Sequence, residues 1–223
     1  MKVKDLLFAS LAVVAAMAAV AVIALTRLPD GAQLVMRWGL DGRPHGSASA
    51  EWALFTPPLI VTAISLAFTM LSMVEPMQNR LENSAPLLRA AWAALLVFFA
   101  FKFAKIAGQV FGLELPASIT IVGIGLILLV IGNAMPKTRP GFFVGIRTPW
   151  TLTDTDNWIA THRFGSHTFI IAGVAIVVAA LLPLPAVSYR RVVLAATLFA
   201  TLPPVLFSWW FWRQNGRQTP SGG

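Results

Sequence analysis

A chain of 223 residues that is 57% hydrophobic and only 12% charged, with a mean hydropathy of +0.74, has too little charge to coat a soluble domain, where charged residues make up about a quarter. The net charge of +8 does not indicate nucleic-acid binding, because the Lys and Arg residues are scattered over short polar segments that suit anionic lipid headgroups. The lack of cysteine excludes disulfides and thiolate metal sites.

Six windows are long and apolar enough to cross about 30 Å of hydrocarbon: residues 6–26, 54–74, 87–107, 117–135, 168–183 and 192–212. The expected fold is an all-α integral membrane protein with six transmembrane helices in one membrane domain. Its first three helices fall in residues 1–110 and its last three in 111–223. Lys2 and Lys4 precede the first window in the manner of a signal peptide. That apolar run is longer than a signal sequence needs, and Thr26-Arg27-Leu28-Pro29 is a poor cleavage site, so it is read as a helix of the mature protein.

Between the first two windows lies a long polar connection, residues 27–53, in which Arg37, Trp38, Asp41 and Gly42 are candidate site residues. In the third window, Lys102 and Lys105 are three apart on one helical face. If that helix ends near Ala107, both snorkel outward. If it runs to Phe111, Lys102 lies inside the membrane, where an ionisable group marks function.

A second long connection, residues 136–167, is interrupted by Pro136, Pro140, Gly141, Gly145 and Pro149 and carries Phe142, Phe143, Val144 and Ile146. These apolar residues are too few to span and are expected to dip into the membrane interface. Thr151 with Asp154, or Thr153 with Asp156, fits a capping box. A short interfacial helix over about 153–164 is therefore expected, with His162 and Arg163 near its negative end and Gly165 terminating it. Asn133, just before this connection, is placed to hydrogen-bond across helices. Trp150 and Trp158 are interfacial or packing anchors, and Arg147 offers a planar fork for a carboxylate or loop carbonyls. In the sixth window, Pro203-Pro204 is expected to kink or break the helix, and Trp209, Trp210 and Trp212 to form an aromatic belt.

The side that carries both termini holds more basic residues (Lys2, Lys4, Arg80, Arg89, Lys137, Arg139, Arg147, Arg163, Arg213 and Arg217) than the other. The positive-inside rule then places both termini and the 136–167 connection in the cytoplasm, and the 27–53 connection outside. The order helix, long loop, helix, helix occurs twice, which fits two three-helix halves of inverted topology.

The run from Gly132-Asn133 through Pro136-Lys137, Gly145-Ile146-Arg147-Thr148-Pro149-Trp150-Thr151-Leu152, Trp158 and Thr161-His162-Arg163 resembles the signature of the SdpI family, bacterial immunity proteins against the sporulation-delaying protein toxin. Leu28-Pro29 followed by Arg37-Trp38-Gly39-Leu40-Asp41-Gly42-Arg43-Pro44-His45-Gly46 is similar to that family's N-terminal domain of unknown function. Where the family usually has His-Trp/Phe-Asn before its glycine, this chain has Arg37, Trp38 and Gly39. The resemblance implies a multi-pass protein of the bacterial cytoplasmic membrane that neutralises a membrane-active peptide toxin and, in some members, sequesters a cytoplasmic repressor. Asn133, Pro136, Arg147, Thr148, Pro149, Trp150, Trp158, His162 and Arg163 are then the candidate partner-binding or coupling residues.

Other classes fit less well. All nine acidic residues fall outside the windows or at their ends, so the membrane holds no carboxylate pair for catalysis or proton coupling. The five-residue spacing of His162 and His167 does not put two imidazoles on one helical face, which argues against a metal site with Asp154 and Asp156. No cofactor is expected. The alternative reading is a small transporter or exporter with a site between the two halves.

Overall fold

The computed structural model describes residues 3–39, 43–74, 78–116, 118–140 and 144–215. In chain order they form α1 (Val3–Leu25), β1 (Gln33–Trp38), β2 (Pro44–Ser49), α2 (Ala50–Val74), α3 (Gln78–Gly108), α4 (Ser118–Ala134), α5 (Pro149–Thr153), α6 (Thr155–Leu181) and α7 (Ala186–Asn215). Single 3-10 turns follow α3 and α4, at Gln109–Phe111 and Met135–Lys137. Asp41 and Gly42, and the expected interfacial dip of Phe142 and Phe143, lie outside the described residues.

Six helices are long and apolar enough to cross a membrane: all but the five-residue α5. With six crossings, the start of α1 and the end of α7 share one face, here the terminal face, together with the α4–α6 connection. The hairpin β1–β2, the α3–α4 connection and the α6–α7 connection lie on the opposite, hairpin face. Hydropathy alone determines most of this, since each span satisfies its backbone bonds internally, as hydrocarbon demands.

The first three spans share one core built on Met17, Ala21, Leu54, Val61, Trp92 and Ile106. Trp92 is fully buried, donates Nε1–H to Ser10 Oγ at 3.0 Å and stacks on Phe68, so a single side chain ties α3 to both α1 and α2. The last three spans share a second core around Ile121, Ala172, Ile176 and Ala200. Here α4 and α6 approach backbone to backbone. A Cβ on Gly125 would stand 2.8 Å from the Gly173 carbonyl oxygen, and one on Gly173 would stand 2.7 Å from that of Gly125. Small residues permit such an approach where helices pack in lipid by van der Waals contact. A third cluster of Leu87, Ala134 and Met135, with Val144 and Ile146 against it, joins the two sets at the terminal face.

The expectation of an all-helical chain misses the antiparallel hairpin, whose register runs from Gln33 opposite Ser49 to Trp38 opposite Pro44, with irregularities between Val35 and Trp38. A two-stranded ribbon is marginal alone, and this one is held at its edge. The Gln109 amide lies along β1, with Nε2–H donating to the Val35 carbonyl at 2.9 Å and Oε1 accepting from the Val35 N–H at 3.1 Å. One side chain thus supplies both ladder bonds of a missing strand.

One expectation about a helix end is corrected. Gly165 does not terminate a short helix; α6 runs through it from Thr155 to Leu181. A Cβ there would lie 2.8 Å from Ile146 Cδ1 and 3.2 Å from Met135 Cε, so the glycine provides room for the loop rather than a stop. Pro203-Pro204 does not break α7, which is continuous from Ala186 to Asn215. Pro204 has no N–H for the carbonyl four residues before it, that of Ala200. Thr168 of α6 brings a donor to it, its Oγ1 lying 3.0 Å from the Ala200 oxygen and sharing its one hydrogen with the Gly165 carbonyl at 2.9 Å. Thr168→Val keeps the shape and removes that donor. It is expected to cost about 1 kcal/mol, read as a lower midpoint in thermal unfolding of the detergent-purified protein; an unchanged midpoint would mean that the carbonyl has another donor.

Candidate functional site

The signature residues gather where α5, α6 and α7 meet at the terminal face. Thr148 is extended (φ −106, ψ 160) and caps α5, with Pro149 in the first turn, where a missing N–H costs nothing. The box is closed by Thr151: its N–H donates to Thr148 Oγ1 at 3.2 Å, and its Oγ1 accepts from the Thr148 N–H at 2.9 Å. The expected boxes starting at Thr151 or Thr153 are therefore one turn too late. Asp154 caps α6 instead, its carboxylate accepting from the N–H groups of Asp156 and Asn157 at 2.8 and 3.3 Å.

From these caps a buried polar network reaches α7. Ser208 Oγ lies 3.0 Å from Thr148 Oγ1, Asn157 Nδ2–H donates to the Ser208 carbonyl at 2.9 Å, and Thr161 Oγ1–H donates to Asn157 Oδ1 at 3.0 Å. Thr148, Thr151, Asn157, Thr161 and Ser208 are all buried. Each bond contributes about 1 kcal/mol, but any buried group left unpaired would cost more. The network therefore fixes the position of the loop.

His162 is 1% exposed and is held at both nitrogens. The Ile146 N–H donates to Nε2 at 3.0 Å, and Nδ1 lies 2.8 Å from the Trp158 carbonyl. Only one tautomer satisfies both, with the proton on Nδ1. The imidazole stacks on the Trp158 indole, ring centroids 4.1 Å apart. Gly145 closes over the pair at φ 129, and a Cβ there would lie 2.5 Å from His162 Nε2 and 2.7 Å from Trp158 Cη2. Trp158 Nε1 is buried with no hydrogen-bond partner among the described residues. His162 and Trp158 are thus packing groups beneath the loop, and neither is free to meet a ligand. Arg163 stands in the middle of α6 and not at a helix end, on its exposed side.

The remaining candidates divide by exposure. Arg147, Pro149 and Leu152 face outward, while Trp150 is half-buried with its ring 6.0 Å from that of Trp212. Asn133 is exposed and makes no hydrogen bond to the described residues, so the expected cross-helix bond is not formed. Pro136 is exposed in the 3-10 turn after α4. Among the described residues no group of His, Asp and Glu is arranged to hold a metal, and His167 Nδ1 bonds only its own helix, at Arg163.

At the hairpin face, exposed Arg37 lies across Gly46 of the partner strand. Trp38 packs its ring 4.3 Å from the Lys105 ammonium. Although α3 ends at Gly108, the case in which outward snorkelling was expected, Lys105 is buried because the hairpin folds over it and Trp38 covers its ammonium.

Sequence reasoning missed Asn157, Thr161, Ser208 and Gln109. A usable signal existed in the pair Asn157 and Thr161, four apart on one helical face next to an apolar run. Ser208 and Gln109 carry no local signal, since both act on segments distant in sequence.

Residues 137–209 match the SdpI/YfhL protein family, a span that contains the capped loop, the His162 joint and the proline-containing stretch of α7. The chain is also 26% identical, over 152 residues, to Immunity protein SdpI of Bacillus subtilis (strain 168), covering 68% of this chain and 70% of that relative. No solved structure matches the chain. Both the matched span and this similarity support assignment of the chain to the SdpI/YfhL family.

Proposed function

We propose that this protein is an SdpI-type immunity protein, protecting a bacterial cell from a membrane-active peptide toxin. The observation that carries the reading is its similarity to Immunity protein SdpI. In this reading both termini and the α4–α6 connection are cytoplasmic, in the inner membrane, and the hairpin faces outward. The buried network holds the connection rigid, so that Arg147, Trp150 and Leu152 form a fixed outward surface at which protection is coupled to its partner. A cytoplasmic repressor, where one exists, is held at this same surface.

The test is survival of toxin-sensitive cells expressing the protein and exposed to the sporulation-delaying protein toxin. Wild type is expected to protect, whereas Arg147→Ala and Trp150→Ala lose protection at undiminished membrane levels. Full protection by both variants would remove the role given to this surface. Failure of the wild type against this toxin, with protection against another membrane-active peptide, would keep the class and change the partner.

The transport alternative calls for a polar cavity reaching Lys102, Asn133 and Pro203. The cleft that reaches Lys102 is lined by apolar residues of α3 and α4 and touches neither of the other two, which favours the interaction reading.

A further inference from the structure

The seam between α3 and α4 has the shape and charge of a phospholipid site. Phe98, Lys102, Lys105 and Gln109 follow one another at spacings of four, three and four, a single stripe along α3. Below Lys102 that face borders a cleft of about 310 Å³ with a nearly all-apolar wall, including Ala90, Ala94, Phe98, Gly123 and Leu126. Above it, at the hairpin face, a polar pocket of about 450 Å³ is lined by Trp38, Lys105, Gln109, Glu114 and Pro116.

Lys105 is 4% exposed, yet among the described residues its ammonium, with three N–H donors, has only the Trp38 ring at 4.3 Å and the Pro116 carbonyl at 3.5 Å. Lys102 is half-buried and points its charge to the same seam. Neither has a carboxylate partner among the described residues. Two cations at one spot, one of them buried and under-bonded, are costly unless an anion neutralises them.

We propose that an anionic phospholipid occupies this seam, with its phosphate between Lys102 and Lys105 and one acyl chain in the cleft below. Dimensions favour a hydrocarbon chain over a peptide helix. From Ala90 to Lys102 the cleft runs about 18 Å at about 1.5 Å per residue, and a helix about 10–12 Å across would need several times its volume. The anionic head meets the ammonium groups, the chain meets alanine, glycine and phenylalanine, and Trp38 takes the interfacial level where amphipathic rings collect.

Native mass spectrometry of the detergent-purified protein tests this with four probes: phosphatidylglycerol, phosphatidylcholine with the same chains, glycerol phosphate, and the sporulation-delaying toxin peptide. The expected result is retention of phosphatidylglycerol in preference to phosphatidylcholine. Lys102→Gln and Lys105→Gln should each weaken it about fivefold, the equivalent of roughly 1 kcal/mol per lysine at a membrane surface. Ala94→Phe, which fills the cleft and leaves both lysines in place, should weaken it as well. Lys102 and Ala94 are only half-buried, so those two variants keep the test valid if Lys105→Gln does not fold. Equal retention of both lipids, binding of glycerol phosphate as tight as that of the whole lipid, or indifference to Ala94→Phe would overturn the proposal. So would displacement of the lipid by a peptide that itself depends on Lys102 and Ala94.

Discussion

Gly145→Ala is expected to destabilise the protein by roughly 2–6 kcal/mol and to abolish protection with it. Two terms add. At φ 129 a residue with a side chain is strained by about 1–3 kcal/mol. Its Cβ would also stand 2.5 Å from His162 Nε2 and 2.7 Å from the Trp158 ring, and overpacking of this kind costs about 1–3 kcal/mol. If the chain relieves the clash by lifting the loop, the Ile146 N–H leaves His162 and becomes a buried donor without a partner. Gly31→Ala separates the two terms, because Gly31 has φ 75 but nothing within 4 Å of its Cβ position; it should lose only the strain. Thermal unfolding of both variants in the same detergent measures the difference. If Gly145→Ala melts with Gly31→Ala, the loop is soft and the joint does not hold it.

The contrast between these two glycines shows where the sequence is legible. Gly145 read as a breaker in the 136–167 connection, and nothing local reveals that it is pressed against an imidazole seventeen residues away. The six spans were readable because hydrocarbon makes a demand on every residue of a window, so composition alone reports it. Their ends were not. Residues 153–164 read as a separate helix because Gly165 and the polar side chains around it resemble a stop, yet Asn157, Thr161 and His162 are polar residues satisfied inside the bundle. At Pro203-Pro204, where a kink or break was expected from missing donors, α7 stays continuous and a threonine hydroxyl of α6 lies within 3.0 Å of the freed carbonyl. The hairpin was invisible for the corresponding reason: its edge is completed by Gln109, 74 residues from Val35. At the site, Thr148, Pro149 and Trp150 were singled out through the family resemblance, and the division into buried and outward residues depends on Ser208 and His162, which only the packed fold brings to them.

His162 gives the sharpest separation of structural from chemical roles. Its Nε2 accepts the Ile146 N–H, while Nδ1 faces the carbonyl one turn back. In position, the side-chain oxygen of glutamine reaches the place of Nε2, whereas that of asparagine reaches only the place of Nδ1. His162→Leu should therefore cost about 1.5–4.5 kcal/mol, from the unpaired Ile146 donor at about 1–3 kcal/mol and the lost stacking at about 0.5–1.5 kcal/mol. His162→Asn should fare no better. His162→Gln should recover the donor's share and lose only the stack. Hydrogen exchange at the Ile146 amide reads this directly, protected in wild type and His162→Gln and fast in the other two. If Asn and Gln behave alike, the Ile146 bond is not what His162 provides. Protection assays complete the argument: a packing histidine predicts that His162→Gln still protects cells, whereas a group that met toxin or metal would lose activity in a variant that remains folded.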